Sequence, residues 1–130
     1  MGYFFGSIIM ESKKTLVVGA SLKPNRYSNQ AVNRLTQNNH PVFAYGLRNG
    51  AIGNVEVSKQ WPTDETFDTL TLYLNPQRQE AFYQPILDLN PKRVIFNPGT
   101  ENQEFQKQLA DAGVEVEVAC TLVMLSIGNY

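Results

Sequence analysis

The chain has 130 residues, of which 42% are hydrophobic and 18% are charged, and its formal net charge is −1 at pH 7. This composition is typical of one globular domain, and no apolar run reaches the roughly 18 residues of a membrane-spanning helix. A single cysteine, Cys120, excludes an internal disulfide bond, and a single histidine, His40, excludes a zinc site of clustered histidines and cysteines.

The first nine residues, MGYFFGSII, are apolar and uncharged. They lack the basic start and the cleavage segment of a secretion signal, and Gly6 stands where a myristoylation pattern needs Ser or Thr. We therefore predict that residues 1–12 are a disordered N-terminal extension and that the domain occupies residues 13–130. The lone cysteine is typical of a reducing compartment, which predicts a cytoplasmic protein.

Short apolar runs alternate with helical segments in the first half of the chain. The run TLVVG, residues 15–19, predicts a strand, and a helix is expected to begin at about Ser28 as N-cap. VFAYG, residues 42–46, predicts the second strand. Residues 46–53 are predicted to be a loop, and the alternating segment Val55 to Val57 predicts a short edge strand.

The second half repeats the alternation of strand and helix. Strands are predicted at residues 69–74, 93–97 and 114–118, and helices at residues 77–89 and 102–112. Pro85 should bend the first of these helices or divide it in two, and Gly113 should end the second. This order is typical of a parallel sheet covered by helices on both faces. We therefore predict a three-layer α/β fold with a doubly wound, mainly parallel sheet.

The turn after the first predicted strand combines small residues with cations. Gly19, Ala20 and Ser21 leave room for a phosphate to reach backbone N–H groups at the start of a helix. Lys23 and Arg26 follow within a few residues. Small residues suit any turn from a strand to a helix, but the added cations favour a phosphate site and therefore a nucleotide ligand.

Acidic residues are absent from most of the front half of the chain. No Asp or Glu lies between Glu11 and Glu56, whereas six of the eleven Lys and Arg residues do. The near-neutral total therefore hides a basic half, whose field would attract a compact polyanion if its loops converge. A solvated basic surface without a ligand is the alternative.

The residues after the second strand bear on which nucleotide is bound. The dinucleotide fingerprint G-x-G-x-x-G would need glycines where Ser21 and Pro24 stand. An NAD enzyme usually places Asp or Glu after the second strand, whereas this chain has Arg48 there. Arg48 suits a phosphate on the ribose, as in NADP or coenzyme A. An exposed loop arginine without a ligand is the alternative.

Two further segments follow predicted strands. Residues Asn97 to Thr100 open a turn in which Gly99 permits close backbone approach and Thr100 is expected to cap the next helix or bind a ligand. A turn without a ligand is the alternative. Cys120 follows the last strand, but His40 is predicted at the other end of the sheet, so a nucleophile would lack a base. We predict a packed or ligand-lining thiol at Cys120, and no catalytic or metal-binding residue.

Several motifs together resemble one family. They are V-V-G-A-S-x-x-P-x-R-Y-S at residues 17–28, Tyr73 to Pro76, Val94 to Asn102 and Ala119 to Leu125. In this order they resemble the small stand-alone CoA-binding proteins of bacteria, which are similar to the N-terminal CoA-binding domain of the succinyl-CoA synthetase α subunit. The resemblance covers residues 13–130. Many of these relatives have Val-Asn-Pro-Lys where this chain has Tyr45 to Arg48, so a cation is kept.

The resemblance implies a Rossmann-like domain that holds coenzyme A with its phosphates near the first turn. With the residues discussed above, the predicted ligand set is Gly19, Ala20, Ser21, Lys23, Pro24, Arg26, Tyr27, Ser28, Arg48, Asn75, Pro76, Asn97, Pro98, Gly99 and Cys120. The synthetase forms its thioester through a phosphorylated histidine in a second domain. This chain has no counterpart of either, so we expect no thioester ligation by this chain alone.

We therefore predict a protein that binds coenzyme A or an acyl-CoA, with no evident catalytic activity of its own. Its partner is predicted to be a small molecule rather than nucleic acid or a membrane, and a homodimer or a partner enzyme stays open. One alternative is an NADP-binding oxidoreductase subunit, which Arg48 favours and the missing glycines oppose. The other is an interaction module that has kept the fold without the ligand.

Overall fold

The computed structural model describes residues 11–130, so the predicted extension, residues 1–12, falls almost entirely outside the described residues. The strands are β1 (Thr15–Val18), β2 (Val42–Tyr45), β3 (Gly50–Ile52), β4 (Val55–Ser58), β5 (Thr69–Leu72), β6 (Arg93–Phe96) and β7 (Glu115–Val118). The helices are α1 (Tyr27–Gln37), α2 (Pro76–Gln79), α3 (Tyr83–Leu89), α4 (Gln103–Asp111) and α5 (Thr121–Ser126), and a 3-10 turn, Glu80–Phe82, joins α2 to α3. No helix within the described range is long and apolar enough to cross a membrane.

The seven strands form one sheet in the order β3-β4-β2-β1-β5-β6-β7. Neighbouring strands are parallel except for β3, which pairs antiparallel with β4. Without β3, the order is that of a doubly wound sheet, in which the chain moves outward from β1 first on one side and then on the other. The predicted Rossmann-like α/β fold is confirmed. Such sheets bind ligands at the switch point, which here lies between β1 and β5.

The central strands are hydrophobic because both faces of the sheet are covered. Every residue of β1, β5 and β6 is buried. Along β1, Leu16 and Val18 join a core cluster with residues of α3 and α4, such as Ile86 and Phe105. Val17 points to the other cluster, which contains residues of α1 and α5. The consecutive apolar residues of β1 are thus shared between two cores, as parallel strands require.

The structure differs from the predictions at the edge of the sheet. Residues 50–52 were predicted to be a loop, but they form β3, whose Ala51 pairs with Glu56. Only Ile52 of β3 is buried, so the sequence of this strand has too little alternation of apolar and polar residues to predict a strand. Because β3 covers the outer side of β4, the prediction that Val55 to Val57 lies at the edge is wrong.

The helix predicted at residues 77–89 is divided, as Pro85 indicated. The break lies one turn before the proline, at Glu80–Phe82, and Pro85 itself lies in the first turn of α3. Pro85 has no N–H to donate to the carbonyl group of Ala81, so a continuous helix would lose a hydrogen bond there. The segment after β7 forms the short helix α5, for which no helix was predicted.

Candidate functional site

A cleft of about 560 Å³ opens at the switch point, beyond the carboxyl ends of β1, β2 and β5. It is lined by Gly19, Ala20, Ser21, Leu22, Lys23, Arg26, Tyr27, Ser28, Leu47, Arg48, Tyr73, Leu74 and Arg78. These residues come from the turn after β1 and the start of α1, from the loop after β2, and from the segment after β5 together with α2. The residues predicted in the first turn, apart from Pro24, thus lie together with Arg48.

A second hollow of about 440 Å³ lies at the opposite end of the sheet. It is lined by Ser12, Gln37, Asn38, Asn39, His40, Leu125 and Tyr130. This lining has amide groups but no Lys or Arg. The cleft at the switch point is therefore the one that combines small residues, helix N–H groups and cations.

Gly19 begins the turn after β1 in a conformation that only glycine adopts readily. Its φ is +95°, and a Cβ atom there would lie 3.1 Å from the carbonyl carbon of Tyr73. The backbone N–H groups of Gly19 and Ala20 both donate to the carbonyl oxygen of Tyr45, each at 2.9 Å. The turn is thereby fixed between the ends of β2 and β5.

Side chains from the first turn of α1 hold Ser21 in place. The hydroxyl of Ser28 accepts a hydrogen bond from the Ser21 N–H at 3.1 Å, and the amide of Asn29 donates to the Ser21 carbonyl at 2.9 Å. Ser28 and Asn29 are both buried. The turn is thus preorganised by hydrogen bonds that leave the hydroxyl hydrogen of Ser28 free to be donated to a ligand.

The start of α1 differs from the prediction. The N-cap is Arg26 rather than Ser28, and it forms no side-chain capping bond. The first turn of α1 contains no acidic residue. The first N–H groups of a helix have no intrahelical acceptor, and they attract anions. The start of α1 is therefore open to a phosphate at the cleft.

The loop after β2 is packed directly on the turn after β1. A Cβ atom at Gly46 would lie 2.3 Å from the carbonyl oxygen of Ala20, so glycine is needed for this close approach. Further along, the side chain of Asn49 accepts a hydrogen bond from the Lys59 N–H at 3.0 Å. The loop so anchored carries Leu47, which is 70% exposed, and the neighbouring Arg48. Both residues form the rim of the cleft on the β2 side.

The charge of the cleft is entirely positive. Its lining contains Lys23, Arg26, Arg48 and Arg78 and no Asp or Glu. All four cations are exposed, and the ion pairs formed within residues 11–130 all lie elsewhere. Like charges that converge on one cleft focus a field that attracts a polyanion.

Arg78 was not predicted from the sequence, although the neighbouring Asn75 and Pro76 were. The side chain of Asn75 caps α2 by accepting a hydrogen bond from the Arg78 N–H at 2.9 Å, and Pro76 occupies the first turn. Neither residue lines the cleft. The Asn-Pro motif positions the helix turn that carries Arg78. A cation in the first turn of a helix after a parallel strand is the signal that would have found it.

Tyr73 belongs to the lining of the cleft, but its hydroxyl lies in the interior. The hydroxyl is buried and has no hydrogen-bond partner among the described residues. Burial raises the pKa of this phenol, while the nearby hydroxyls of Thr71 and Thr121 oppose the shift. Tyr73 therefore stays protonated at neutral pH.

Asn97 lies outside the cleft lining and is 1% exposed. Its amide donates to the Thr71 hydroxyl at 2.7 Å and to the Leu72 carbonyl at 3.0 Å, and its oxygen accepts from the Thr121 N–H at 2.9 Å. The side chain thus ties the ends of β5 and β6 to the start of α5. Its hydrogen-bonding groups are directed at the protein rather than at solvent.

The rest of the predicted turn after β6 also lies outside the lining of the cleft. Pro98 and Gly99 are exposed, and the Gly99 N–H donates to the carboxylate of Glu101 at 2.9 Å. The buried hydroxyl of Thr100 donates to the Asn97 carbonyl. The N-cap of α4 is Asn102, so the expectation that Thr100 caps this helix is wrong.

Cys120 is half-buried at the N-cap position of α5 and lies outside the cleft lining. His40 is buried beside the hollow at the opposite end of the sheet, where its Nδ1 accepts a hydrogen bond from the Lys13 N–H at 3.0 Å. The two residues thus do not form a nucleophile and base pair. Within residues 11–130, no group of three or more His, Cys, Asp and Glu residues is placed to hold a metal ion.

Solved structures with this fold include several proteins of similar length. An uncharacterized protein is 45% identical, with a TM-score of 0.90 over 93% of this chain and 100% of its own. A hypothetical protein from Pyrococcus horikoshii OT3 is 21% identical, with a TM-score of 0.80 over 95% of this chain and 89% of its own. The protein cell-free ID.343 from Thermus thermophilus is 21% identical, with a TM-score of 0.79 over 98% of this chain and 97% of its own. The last two likenesses show the fold alone.

No curated protein matches the chain. Residues 13–126 match the family described as CoA binding domain, which is nearly all of the described chain. The match begins before β1 and ends with α5, so it includes the turn after β1, the loop after β2 and the segment that joins β5 to α2. The chain therefore belongs to the CoA binding domain family.

Proposed function

We propose that this protein binds coenzyme A or an acyl-CoA in the cleft at the ends of β1, β2 and β5. The observation that carries the proposal is a set of four cations that form no ion pair within residues 11–130, around a lining without carboxylates. Coenzyme A has a diphosphate and a phosphate on the 3′-oxygen of its ribose, which together carry about four negative charges at pH 7. The charge of the cleft thus balances that of the ligand.

The local geometry supports a diphosphate at the turn after β1. The backbone there is held by Tyr45, Ser28 and Asn29, and the first N–H groups of α1 are free of an acidic neighbour. A diphosphate at this place would accept hydrogen bonds from these N–H groups and from the Ser28 hydroxyl. Lys23 and Arg26 would neutralise its charge at the mouth of the cleft.

The position of Arg48 favours a ligand whose ribose bears a phosphate. It lies on the rim beyond β2, where an NAD enzyme would hold the ribose diol with a carboxylate. Because the lining contains no carboxylate, a plain ribose diol gains little there, whereas a phosphate gains a charge-assisted hydrogen bond. This preference separates coenzyme A and NADP from NAD.

The proposed function is binding without chemistry of its own. The cleft lining supplies cations, hydroxyl groups and apolar contacts, while Cys120 and His40 lie outside it and apart from each other. The phenol of Tyr73, a residue of the lining, is buried in the interior, and its raised pKa keeps it from acting as a base near neutral pH. An acyl group would therefore be carried rather than transferred.

Titration calorimetry with coenzyme A, NADP and NAD tests the proposal. We expect coenzyme A to bind most tightly, and an Arg48→Met variant to lose affinity for coenzyme A. Arg34→Met is the matched control, because Arg34 is an exposed arginine in the last turn of α1, away from the cleft. Tighter binding of NADP would favour the oxidoreductase alternative, and no binding of any of the three would favour an interaction module.

A further inference from the structure

Arg78 comes from a different part of the chain than the other three cations of the cleft. Lys23, Arg26 and Arg48 follow β1 and β2, whereas Arg78 follows β5. In the sheet, β1 lies between β2 and β5. Since neighbouring strands lie about 4.8 Å apart, the ends of β2 and β5 are separated by about 10 Å. Arg48 and Arg78 therefore belong to opposite walls of the cleft.

The backbone at Arg78 is fixed while its side chain stays free. Asn75 holds the Arg78 N–H through both its side chain, at 2.9 Å, and its carbonyl oxygen, at 3.1 Å. The next residue, Gln79, is fully buried, and its amide donates to the carbonyl groups of Leu74 and Thr100. The guanidinium is exposed and takes part in none of the ion pairs of the described chain. Because the backbone is already fixed, only the side chain of Arg78 has to be ordered when it binds an anion.

The direction of the ligand follows from the two walls. With the ribose phosphate at Arg48 and the diphosphate at the start of α1, the part of the ligand that extends toward β5 is the pantetheine half. The first group of that half is the phosphate that carries the pantetheine arm. An arginine side chain binds a phosphate through two parallel N–H groups, so its position and geometry suit this group.

We infer that Arg78 binds the phosphate of the diphosphate that carries the pantetheine arm. The adenosine half of the ligand would be bound on the other wall of the cleft, by the residues that follow β1 and β2. This inference rests on the proposed function and refines it. The cleft then recognises the two halves of coenzyme A separately: Arg48 reads the phosphate on the ribose, and Arg78 reads the phosphate on the arm. A ligand that lacks the arm and its phosphate should keep its contact with Arg48. A ligand that lacks the ribose phosphate should keep its contact with Arg78.

Calorimetry with fragments of coenzyme A separates these roles. Three ligands are titrated: coenzyme A, dephospho-coenzyme A, which lacks the ribose phosphate, and adenosine 3′,5′-bisphosphate, which lacks the pantetheine-side phosphate. We expect Arg78→Met to bind the first two about tenfold more weakly and the bisphosphate as the wild type does, since a hydrogen bond to a charged group is worth about a factor of ten or more. Arg48→Met should weaken coenzyme A and the bisphosphate and leave dephospho-coenzyme A unchanged.

Two further variants serve as controls for the effect of Arg78→Met. Arg34→Met removes an exposed arginine of α1 outside the cleft and should leave all three affinities unchanged. Arg78→Lys keeps the charge without the forked donor and should bind coenzyme A with an affinity between those of the wild type and Arg78→Met.

The outcomes distinguish the inference from the proposed function. Equal weakening of all three ligands by Arg78→Met would place Arg78 on the adenosine half and overturn the inference, as would unchanged binding of coenzyme A. In both cases the proposed function would stand, because the wild type binds coenzyme A. Failure of the folded wild type to bind coenzyme A would overturn the proposed function and, with it, the assignment of Arg78.

Discussion

Replacing Gly46 by alanine should damage both the fold and the cleft, because its Cβ atom would meet backbone rather than a side chain. The ideal Cβ position is 2.3 Å from the Ala20 carbonyl oxygen, with the carbonyl carbon at 3.3 Å and a methyl group of Val57 at 3.0 Å. An ordinary contact would be about 1 Å longer. Either the turn after β1 or the end of β2 must therefore move by that amount.

The movement would strain the bonds that fix the turn. The Ala20 N–H donates to the Tyr45 carbonyl oxygen at 2.9 Å, and the Gly46 N–H donates to the Ser58 carbonyl oxygen at 3.0 Å. Overpacking of this kind costs about 1–3 kcal/mol of unfolding free energy. Each kcal/mol lowers the melting temperature of a chain of this size by about 4 °C. Affinity for coenzyme A should fall as well, because the displaced residues line the cleft.

Gly50→Ala is the matched control. Gly50 is the first residue of β3, and the three atoms nearest to its ideal Cβ position all belong to the side chain of Leu22, whose Cδ1 is 2.7 Å away and can rotate. Thermal unfolding followed by circular dichroism, together with calorimetry of the variants, compares the two. If Gly46→Ala melts within a degree of Gly50→Ala and binds coenzyme A equally well, the close packing of the β2 loop on the turn does not matter as argued.

Three further substitutions test other parts of the fold. Asn97→Ala should lower the unfolding free energy by about 2–4 kcal/mol in denaturant titrations, because it removes three buried hydrogen bonds, and of their partners the Thr71 hydroxyl keeps its bond to the Thr121 hydroxyl; a loss below about 1 kcal/mol would mean that the network is replaceable. Tyr73→Phe should raise the stability of the free protein by about 1 kcal/mol, since it removes a buried hydroxyl without a partner among the described residues; a clear loss of stability would reveal a partner. Burial, followed by the charge of Lys13, lowers the pKa of His40 in the folded protein below its ordinary value of 6.5. As the pH falls below about 6.5, this histidine is therefore protonated in the unfolded chain before it is protonated in the folded protein, and the free energy of unfolding should decrease. Chemical unfolding at several pH values measures this decrease, which His40→Gln should reduce; an identical pH dependence in the variant would assign it to other groups.

The fold could be predicted because its central strands are unbroken runs of buried residues. In β1, Leu16 to Val18 face two cores, and helix-length segments separate such runs. The elements that escaped prediction are those whose conformation depends on distant partners. β3 has one buried residue and pairs with β4, and the start of α5 is fixed where the Thr121 N–H reaches Asn97. Neither feature leaves a periodic pattern in the local sequence.

The candidate site could be predicted only where its residues are close together in the sequence. The turn after β1 and Arg48 could be identified from neighbouring residues and from the missing acidic residue after β2. Arg78 and Tyr73 were missed because their places in the lining depend on β5 lying next to β1 in the sheet. Asn97 illustrates the reverse case, since its turn has the composition of a ligand loop while its amide is used inside the protein.

The loops of the cleft are held by uncharged groups, and this preserves its positive charge. Asn29 fixes the turn after β1 by donating a hydrogen bond, which an ionised carboxylate could not do, and Asn75 caps α2 by accepting one, where a carboxylate would serve as well. Carboxylates at these places would pair with the cations and compete with a polyanion. The free protein therefore retains repulsion among its cations that a bound ligand relieves. An acidic residue at the exposed Tyr27, in the first turn of α1, should accordingly stabilise the free protein through the helix dipole and weaken the binding of coenzyme A. Thermal unfolding and calorimetry of Tyr27→Glu test this opposition, and a parallel change in stability and affinity would contradict it.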